Sequence, residues 1–528
     1  MTPLATRLRA LAPETLASIR RGVEKEGLRV RPDGSLAESP HPARLGSALT
    51  HPSITTDFSE SQLELITGVH ASIEGCLREL TEIHQVVFRA LDDEMLWCSS
   101  MPCRLPADDR IPIGHYGDSN VGRAKTVYRK GLAHRYGRRM QTVSGIHYNF
   151  SLPEAVWPAL QRADGRQGPL AAYRNDAYFR LIRNFRRRSW LLLYLLGASP
   201  AVCSTFVAGR KHELHPLAEG TLYMPGGTSL RMGPLGYQSD AQASLAVSYN
   251  SLKSYAATLN PALTESYPPY EAIGIREGDE YLQLATSLLQ IENEFYATIR
   301  PKQPVRSGER PLHALGERGV AYVEVRCVDI DPFLPVGIDA RAMRLLDVFL
   351  LHCLLSDSAP DTPEEIASTA RNQHLVAGFG RERGLRLSDG GSQRVLADWG
   401  FELVHALAPV AEALDAAHGT DAYRGVLAEA EAALRDPEQT PSARVLRAMR
   451  EEHGASYVAF AAAQSMRHRQ ALLGAPLAPE IVQHYARMAR DSFDEQRRIE
   501  AADSMPFELY RRQYIGQDLV GGAQLRSA

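Results

Sequence analysis

Four short segments of this chain alternate apolar side chains with polar or charged ones: residues 22–30, 58–66, 146–152 and 320–328. In an extended strand successive side chains point to opposite faces, so each segment would have one apolar face and one polar face. Antiparallel strands commonly pack one face on a core and leave the other face open. The alternation therefore predicts an antiparallel sheet, and it constrains the fold more than any other feature of the sequence.

The polar faces of these four segments bear carboxylates, an imidazole, a guanidinium and neutral polar groups. They are Glu24 and Glu26; Glu60, Gln62 and Glu64, with Asp57 just before them; His147 and Asn149; and Tyr322, Glu324 and Arg326. A solvated face is the ordinary explanation for any one such strand. If the four faces converge, however, their carboxylates repel one another and need cations to compensate. Carboxylate oxygens with a single histidine suit Mg²⁺ or Mn²⁺, and Mg²⁺ usually works with substrate phosphates.

Basic residues that could meet an anionic ligand lie between these segments. Residues 117–126 resemble a phosphate-binding glycine loop, but Arg123 and Ala124 stand where that motif needs Lys followed by Ser or Thr, so the motif is rejected. Arginine can grip a carboxylate or a phosphate with two parallel hydrogen bonds. The other candidates are Arg129 in the helix-like run after residue 126, Arg300 and Lys302 in residues 291–302, and Arg231 and Tyr237 in the glycine-rich residues 224–237.

Composition excludes several classes of protein. The chain has 59 Lys and Arg against 62 Asp and Glu, a net charge of −3, which argues against a general nucleic-acid binder. Six cysteines without a C-x-x-C pair argue against a disulfide scaffold.

Residues 189–209 lack charges, but their strongly apolar part, Trp190–Leu196, is too short to span a membrane. This stretch predicts a buried helix followed by a turn and a buried strand. Residues 1–21 lack the apolar core of a signal peptide, so a soluble, cytoplasmic protein is expected.

The pattern of apolar residues and the composition of the sequence change near residue 339. Residues 1–21 predict one amphipathic helix, and residues 22–335 mix short alternating runs with Gly- and Pro-rich loops. Later segments have helical apolar spacing and much Ala, Leu, Glu and Arg; they are residues 340–356, 398–418, 422–435, 442–453 and 479–510. The sequence therefore predicts an α+β catalytic body, residues 1–339, and a mainly helical C-terminal part, residues 340–528, packed on it.

Several strings in the sequence resemble the glutamate–cysteine ligase family of glutathione-making bacteria. They are residues 22–30, 46–51 with 54–58, 140–153, 291–302 and 322–326, and the likeness runs in order from about residue 15 to 340 and more weakly to the C-terminus. The resemblance implies a fold akin to glutamine synthetase, in which a curved antiparallel sheet forms a cup around the active site. It also implies ATP, Mg²⁺, L-glutamate and L-cysteine as ligands, and γ-glutamylcysteine, ADP and phosphate as products.

The resemblance also assigns roles to particular residues. The metal-binding positions are Glu24, Glu26, Asp57, Glu64, His147 and Glu324. Arg129 and Arg326 correspond to catalytic residues that steady the transferred phosphoryl group, Gln141 and Arg231 to positions near glutamate, and Tyr128 and Tyr237 to the cysteine pocket. Arg300 and Lys302 are the candidates for binding ATP. One departure precedes Arg231, where Gly226 and Gly227 stand in place of an expected Tyr-Ala pair.

Two alternatives to this function remain open from the sequence. One is a ligase of the same class with a different amine acceptor, since two tyrosines do not by themselves dictate a thiol. The other is a non-catalytic, ATP-binding regulatory relative. Every candidate metal ligand is present in the sequence, which argues against this second alternative. A monomer is expected, with feedback inhibition by glutathione and with no membrane or nucleic-acid partner.

Overall fold

The computed structural model describes residues 2–236, 240–242 and 245–526. The strands are β1 Arg20–Val30, β2 Ile54–Thr56, β3 Gln62–Ile66, β4 Met95–Leu96, β5 Ile146–Ser151, β6 Ala201–Cys203, β7 His215–Ala218, β8 Thr221–Tyr223, β9 Arg276–Glu277, β10 Glu280–Tyr281, β11 Ile299–Lys302, β12 Tyr322–Val328, β13 Arg386–Asp389 and β14 Ser392–Val395. The helices are α1 Pro3–Arg9, α2 Pro13–Leu16, α3 Ile73–Ala90, α4 Asn120–Tyr136, α5 Val156–Ala163, α6 Leu170–Arg188, α7 Trp190–Leu196, α8 Leu252–Thr264, α9 Pro268–Glu271, α10 Pro311–Arg318, α11 Ala340–Leu355, α12 Pro363–Phe379, α13 Leu396–His418, α14 Ala422–Arg435, α15 Pro441–Glu452, α16 Tyr457–Gly474, α17 Pro479–Ala502, α18 Phe507–Ile515 and α19 Ala523–Arg526.

The central sheet is antiparallel and open, with strand order β11-β12-β5-β1-β3-β2 and β4 paired to β1. Its register places Glu24 opposite His147, and Glu26 opposite Glu64. Directly opposite residues in an antiparallel pair project to the same face. One face of the sheet therefore carries the candidate ligands, and the predicted α+β fold with an antiparallel sheet and C-terminal helices is confirmed.

The other face of the sheet is the core. Val23, Tyr148, Phe150, Val323 and Val325 are fully buried there. Helices α3, α6 and α7 pack against the strands on this side, and α11 packs on α6. Complete burial of such a side chain contributes roughly 1.5–3 kcal/mol, so this layer fixes the sheet on which the polar face is built.

The core face of β1 carries buried charged residues, among them Arg21, which is ion-paired with Asp347 at 2.9 Å, and Lys25. Lys25 is buried, and its Nζ donates to Nε2 of His84 at 2.9 Å, while Nδ1 of His84 donates to the carbonyl oxygen of Leu80 at 2.7 Å. Burial lowers the pKa of Lys25 to about 8, because the charged form loses its hydration. The charged groups on this otherwise apolar face are thus paired, Lys25 with His84 and Arg21 with Asp347.

Two predicted elements differ from the structure. The single helix predicted over residues 1–21 is wrong, because α1 and α2 are separate and β1 begins at Arg20. Ala12 is extended, with ψ 150°, because it precedes Pro13, which disfavours helical backbone at that position. The strand predicted over residues 58–66 covers only Gln62–Ile66, so Glu60 lies in the preceding turn and not on a strand face.

The C-terminal segments form helices close to the predicted bounds. Ala422–Arg435 agrees at both ends, whereas the segment predicted over residues 479–510 divides at Pro506 into α17 and α18. The largest hydrophobic cluster includes residues from both sides of residue 339, and the division into two parts at that point stays a prediction.

Trp190–Leu196 is a buried helix followed by the buried strand β6, as predicted. Within the described ranges, no helix has the length and apolar character needed to cross a membrane.

Candidate active site

A cavity of about 660 Å³ lies against the polar face of the sheet. Its other walls come from α4, residues 291–311 and the C-terminal helices α17 and α18. The lining includes Glu24, Glu26, Asp57, Glu64, Tyr128, Arg129, Gln141, His147, Arg231, Arg300, Lys302, Glu324 and Arg326. These are the residues that the sequence assigns to the site, apart from Tyr237, which lies outside the described residues. The structure brings them together, and their individual roles stay predictions.

His147 lies at the centre of the acidic side chains. Its Nδ1 is 3.3 Å from Oε2 of Glu24 and 3.8 Å from Oε1 of Glu324. Its Nε2 is 3.4 Å from Oε1 of Glu26. Donor atoms of Glu24, Glu64 and His147 all lie within 4.8 Å of one another. Three strands, β1, β3 and β12, thus place carboxylates around the imidazole of His147 on β5.

The electrostatics of this cluster are uneven. Burial raises the pKa of Glu64 well above its usual range, and the charges of Glu24, Asp57 and Glu26 raise it further. Burial likewise raises the pKa of Glu26. In contrast, the pKa of Glu324 is well below its usual range because Lys302, Arg326 and His147 outweigh its burial. The charge of Glu324 is therefore already balanced by its cationic neighbours. Glu26 and Glu64 lie among other carboxylates, and a bound cation would relieve the repulsion between them.

The residues present fit a hard divalent cation. Nε2 of His147 is buried and has no hydrogen-bond partner among the residues that the structure describes. Two neighbours orient the carboxylates: the backbone N–H of Gly145 donates to Glu26 Oε2 at 2.8 Å, and Nδ2 of Asn149 donates to Glu24 Oε1 at 2.8 Å. Such outer hydrogen bonds are typical around metal ligands. Carboxylate oxygens with one imidazole nitrogen form a donor set suited to Mg²⁺ or Mn²⁺.

Cationic side chains border the cluster. Nη1 of Arg326 is 3.2 Å from Oε2 of Glu324, and Nζ of Lys302 is 3.2 Å from Oε1 of the same carboxylate. Arg129, on α4, donates through Nε to the backbone carbonyl of Asp57 and lies 4.4 Å above the ring of Tyr116. These contacts hold two guanidinium groups and one ammonium at the cavity surface.

Arg231 is buried in a closely packed position. Its Nη2 donates to the carbonyl oxygen of Arg326 at 2.8 Å, and its Nη1 is 3.9 Å from Oδ1 of Asp329. A Cβ atom on Gly145 would lie 2.0 Å from Arg231 Nη2, so only glycine leaves room for this guanidinium. Sequence reasoning missed Gly145, because the atoms that restrict it come from a residue far away in the chain.

The segment before β11 forms another wall. Nη2 of Arg300 donates to the carbonyl oxygens of Asn293, at 2.9 Å, and Phe295. Nε2 of Gln141 donates to the hydroxyl of Tyr296 at 3.2 Å. Arg300 therefore holds the backbone of this segment in place, and its assignment to ATP stays a prediction.

Close packing explains why Gly226 and Gly227 stand in place of the expected Tyr-Ala pair. A Cβ atom on Gly226 would lie 2.7 Å from Cγ of Glu382. The carbonyl oxygens of Gly226 and Gly227 accept hydrogen bonds from the backbone N–H and Nε of Arg381, at 3.0 and 3.2 Å. The segment that follows α12 thus approaches the loop more closely than a larger side chain would allow.

Comparison with known proteins decides the family. The family model described as glutamate–cysteine ligase matches residues 7–376. The chain belongs to the glutamate–cysteine ligase family. The glutamate–cysteine ligase of Azotobacter vinelandii is 51% identical, with 93% of each chain covered, and that of Hahella chejuensis is 47% identical, with 96% of this chain and 98% of the relative covered. The crystal structure of the Francisella tularensis glutamate–cysteine ligase in complex with AMP matches with a TM-score of 0.89 and 36% identity, over 94% of this chain and 98% of that one.

Membership in the glutamate–cysteine ligase family confirms the resemblance carried by the five strings of sequence. The structure separates Glu26 from Glu60, which the alternating pattern alone treats alike. The carboxylate of Glu60 accepts hydrogen bonds from the backbone N–H groups of His41 and His115, both at 3.0 Å. Glu60 therefore anchors two loops and, unlike Glu26, does not line the cavity.

Replacing Glu26 with glutamine should weaken Mg²⁺ binding by at least about tenfold, because the site loses one negative charge. The amide oxygen of the glutamine can still accept from Gly145, so the strand should form normally. Titration with Mg²⁺, followed by calorimetry, measures the change. Glu60→Gln is the matched control and should bind Mg²⁺ like the unmodified protein; equal shifts in both variants would contradict the assignment of Glu26.

Proposed function

We propose that this protein joins the γ-carboxylate of L-glutamate to the amine of L-cysteine at the expense of ATP. The products would be γ-glutamylcysteine, ADP and phosphate, the first step of glutathione biosynthesis. The observation that carries the proposal is the cavity in which a buried carboxylate cluster meets Arg129, Arg326 and Lys302. Carboxylates and amines do not condense unaided in neutral water, so the γ-carboxylate has to be activated by phosphoryl transfer. Enzymes catalyse that transfer mainly by positioning and by neutralising charge.

The carboxylate cluster would hold the metal that this chemistry needs. Its candidate ligands are Glu24, Glu26, Asp57, Glu64, His147 and Glu324. When bound, Mg²⁺, or Mn²⁺ in its place, offsets the charge that phosphate oxygens bring into the site. Gly145 and Asn149 keep two of the carboxylates oriented through the hydrogen bonds described above.

The arginines of the site act on the anionic groups. Arg129 and Arg326 would bind the oxygens of the phosphoryl group during its transfer. Arg300 and Lys302 would bind the remaining phosphates of ATP. Arg231, with Gln141 nearby, would hold L-glutamate so that an oxygen of its γ-carboxylate attacks the terminal phosphorus of ATP. ADP then leaves, and the glutamate carries an activated acyl phosphate.

The second step requires an amine close to the activated carbon and no competing water. Tyr128 would border the cysteine side chain, and the amine nitrogen of cysteine would attack the carbonyl carbon of the acyl phosphate, which releases phosphate. The walls contributed by α4, α17 and α18 limit the access of water. No protein nucleophile is needed, which agrees with the burial of all six free cysteines.

Purified protein should release phosphate from ATP only when glutamate, Mg²⁺ and an amine acceptor are all present, with cysteine the best acceptor. Serine, alanine and 2-aminobutyrate are suitable comparison amines, because they keep the amino-acid backbone and change only the side chain. A coupled phosphate assay measures the rates. Equal rates with and without glutamate would contradict the proposal.

The same assay distinguishes the two alternatives. A ligase with another acceptor would give its highest kcat/KM with an amine other than cysteine. A non-catalytic relative would bind nucleotide but release no phosphate with any amine.

The remaining expectations rest on the resemblance to the family. We expect a cytoplasmic monomer with an α+β body, residues 1–339, and a helical C-terminal part. We also expect glutathione to inhibit the enzyme, because it contains the γ-glutamylcysteine unit that the site produces. Sedimentation and inhibition assays test the oligomeric state and the feedback.

A further inference from the structure

Asp329 follows the end of β12 and does not line the active-site cavity. Its side chain is completely buried. Its Oδ2 accepts from the backbone N–H of Ala198 at 2.9 Å and from the hydroxyl of Ser199 at 2.6 Å, and its Oδ1 accepts from the hydroxyl of Ser229 at 3.0 Å. An ionised carboxylate only accepts hydrogen bonds, so these three donors suit the charged form of Asp329 and fix its position.

The positive charge nearest in effect to Asp329 is the guanidinium of Arg231. Burial raises the pKa of Asp329, and the charge of Arg231 opposes that rise more strongly than any other neighbour does. A buried charge is costly unless an opposite charge compensates it. Asp329 and Arg231, with Oδ1 and Nη1 3.9 Å apart, therefore form a buried pair, of which only Arg231 reaches the cavity.

Ser229 connects Asp329 to the backbone that carries Arg231. Residues Leu230–Met232 form a short 3₁₀ turn, and the hydroxyl oxygen of Ser229 accepts from the backbone N–H of Met232 at 3.3 Å. The same hydroxyl donates its hydrogen to Asp329. Asp329 therefore acts on Arg231 in two ways, by attracting its guanidinium and by holding the turn on which it lies.

A second carboxylate acts on the same guanidinium. Burial raises the pKa of Glu26, and the positive charges of His147 and Arg231 oppose that rise, so Arg231 lies within electrostatic reach of the carboxylate cluster. Glu26 lines the cavity and Asp329 does not, so the two carboxylates attract the guanidinium in different directions. Without Asp329, the guanidinium of Arg231 would be free to turn towards Glu26.

We propose that Asp329 is a positioning residue for the binding of glutamate. It holds Arg231 away from Glu26, in the orientation in which the guanidinium binds a carboxylate of the substrate. This inference rests on the proposed function, because that function assigns Arg231 to L-glutamate. Asp329 touches neither the substrates nor the reacting atoms, so its loss should lower the affinity for glutamate and leave phosphoryl transfer nearly unchanged.

Asp329→Asn should raise the KM for glutamate by at least about tenfold, because misplacing a substrate-binding group by about 1 Å can cost about 10². The kcat at saturating glutamate and the KM for ATP should change by less than about threefold. The dissociation constant of L-glutamate, measured by calorimetry without ATP, should rise by the same factor as the KM. A lower kcat with an unchanged KM and unchanged glutamate binding would overturn the proposal.

Asp347→Asn is the matched control. Asp347 is also completely buried; its Oδ2 lies 2.9 Å from Nη2 of Arg21, and its Oδ1 accepts from the hydroxyl of Tyr148 at 2.7 Å. Neither Asp347 nor Arg21 lines the cavity. Asp347→Asn should therefore lower the melting temperature, as Asp329→Asn does, and leave the KM for glutamate unchanged. If both variants raise that KM equally, loosened packing explains the effect and the proposal is overturned.

Ser229→Ala tests the same connection even if Asp329→Asn fails to fold. It removes the hydroxyl that links Asp329 to the turn, while Ala198 and Ser199 still hold the carboxylate. The KM for glutamate should rise by at least about threefold, with kcat nearly unchanged. Unchanged affinity for glutamate in Ser229→Ala would overturn the proposal.

A double substitution shows whether Asp329 acts through Arg231. In an Arg231→Ala background, Asp329→Asn should not weaken glutamate binding further, because the group that it positions is gone. An additive loss would overturn the proposal. If Arg231→Ala alone binds glutamate normally, the role of Arg231 in the proposed function fails and this inference fails with it. Weakened binding in Arg231→Ala together with normal binding in Asp329→Asn would refute this inference alone.

Discussion

Replacing Arg326 with lysine should lower kcat by at least about tenfold, with little change in the KM for glutamate. The guanidinium lies 3.2 Å from Glu324, and its side chain is 12% exposed at the cavity. An ammonium keeps the positive charge but cannot reproduce the planar fork that binds two phosphoryl oxygens. Loss of one contact made in the transition state typically costs about 10²–10³ in kcat. Steady-state kinetics of phosphate release measures the effect.

A structural role for Arg326 would give a different result. If the residue only neutralises Glu324, lysine can replace it and kcat should stay the same. The melting temperature of Arg326→Lys should be close to that of the unmodified protein in either case, which shows that the loss of rate does not come from unfolding. Arg344→Lys is the control for the substitution itself. Arg344 forms an ion pair with Glu74, with Nη2 and Oε1 2.9 Å apart, and does not line the cavity.

Replacing Gly145 with alanine should lower kcat/KM for glutamate by about 10², because the new methyl group occupies the position of the Arg231 guanidinium. A Cβ atom there would be 2.0 Å from Nη2 of Arg231. The side chain of Arg231 can swing away, so the protein should still fold, with a modest decrease in melting temperature. The loss should appear mainly in the KM for glutamate, since Arg231 is proposed to bind that substrate.

Gly425→Ala is the control for this change. Gly425 lies in α14, and a Cβ atom there would meet no atom within 4 Å. Alanine is favoured over glycine inside a helix by about 1 kcal/mol, so this variant should be fully active and slightly more stable. Normal glutamate kinetics in Gly145→Ala would show that the position of Arg231 does not matter to the reaction.

Local patterns in the sequence predicted the elements but not their pairing. The period-two alternation correctly located β1, β5 and β12, because strands that cover a core need one apolar face. The register that sets Glu26 opposite Glu64 is a long-range property, so convergence on one cavity was a hypothesis until the fold was known. Glu60 shows the limit of the pattern, since the alternation continues into a turn where the carboxylate binds backbone N–H groups.

The contribution of the C-terminal helices could not be predicted from the sequence. Ser47 Oγ donates to Gln496 Oε1 at 2.5 Å, and Glu500 Oε1 accepts from the backbone N–H of Asp118 at 3.1 Å. These contacts attach α17 to loops beside the cavity, across several hundred residues of chain. The charged, helix-like composition of that segment indicates only a solvated helix, and nothing local signals that it forms a wall of the site.

The central claim is that phosphoryl transfer activates the γ-carboxylate before the amine attacks. Glutamate carrying ¹⁸O in both oxygens of the γ-carboxylate tests it most directly, in a reaction with unlabelled ATP, Mg²⁺ and cysteine. Mass spectrometry of the released phosphate should show one ¹⁸O atom in each molecule, transferred from the carboxylate when the acyl phosphate breaks down, together with γ-glutamylcysteine that retains one ¹⁸O. Formation of γ-glutamylcysteine with unlabelled phosphate would contradict the account.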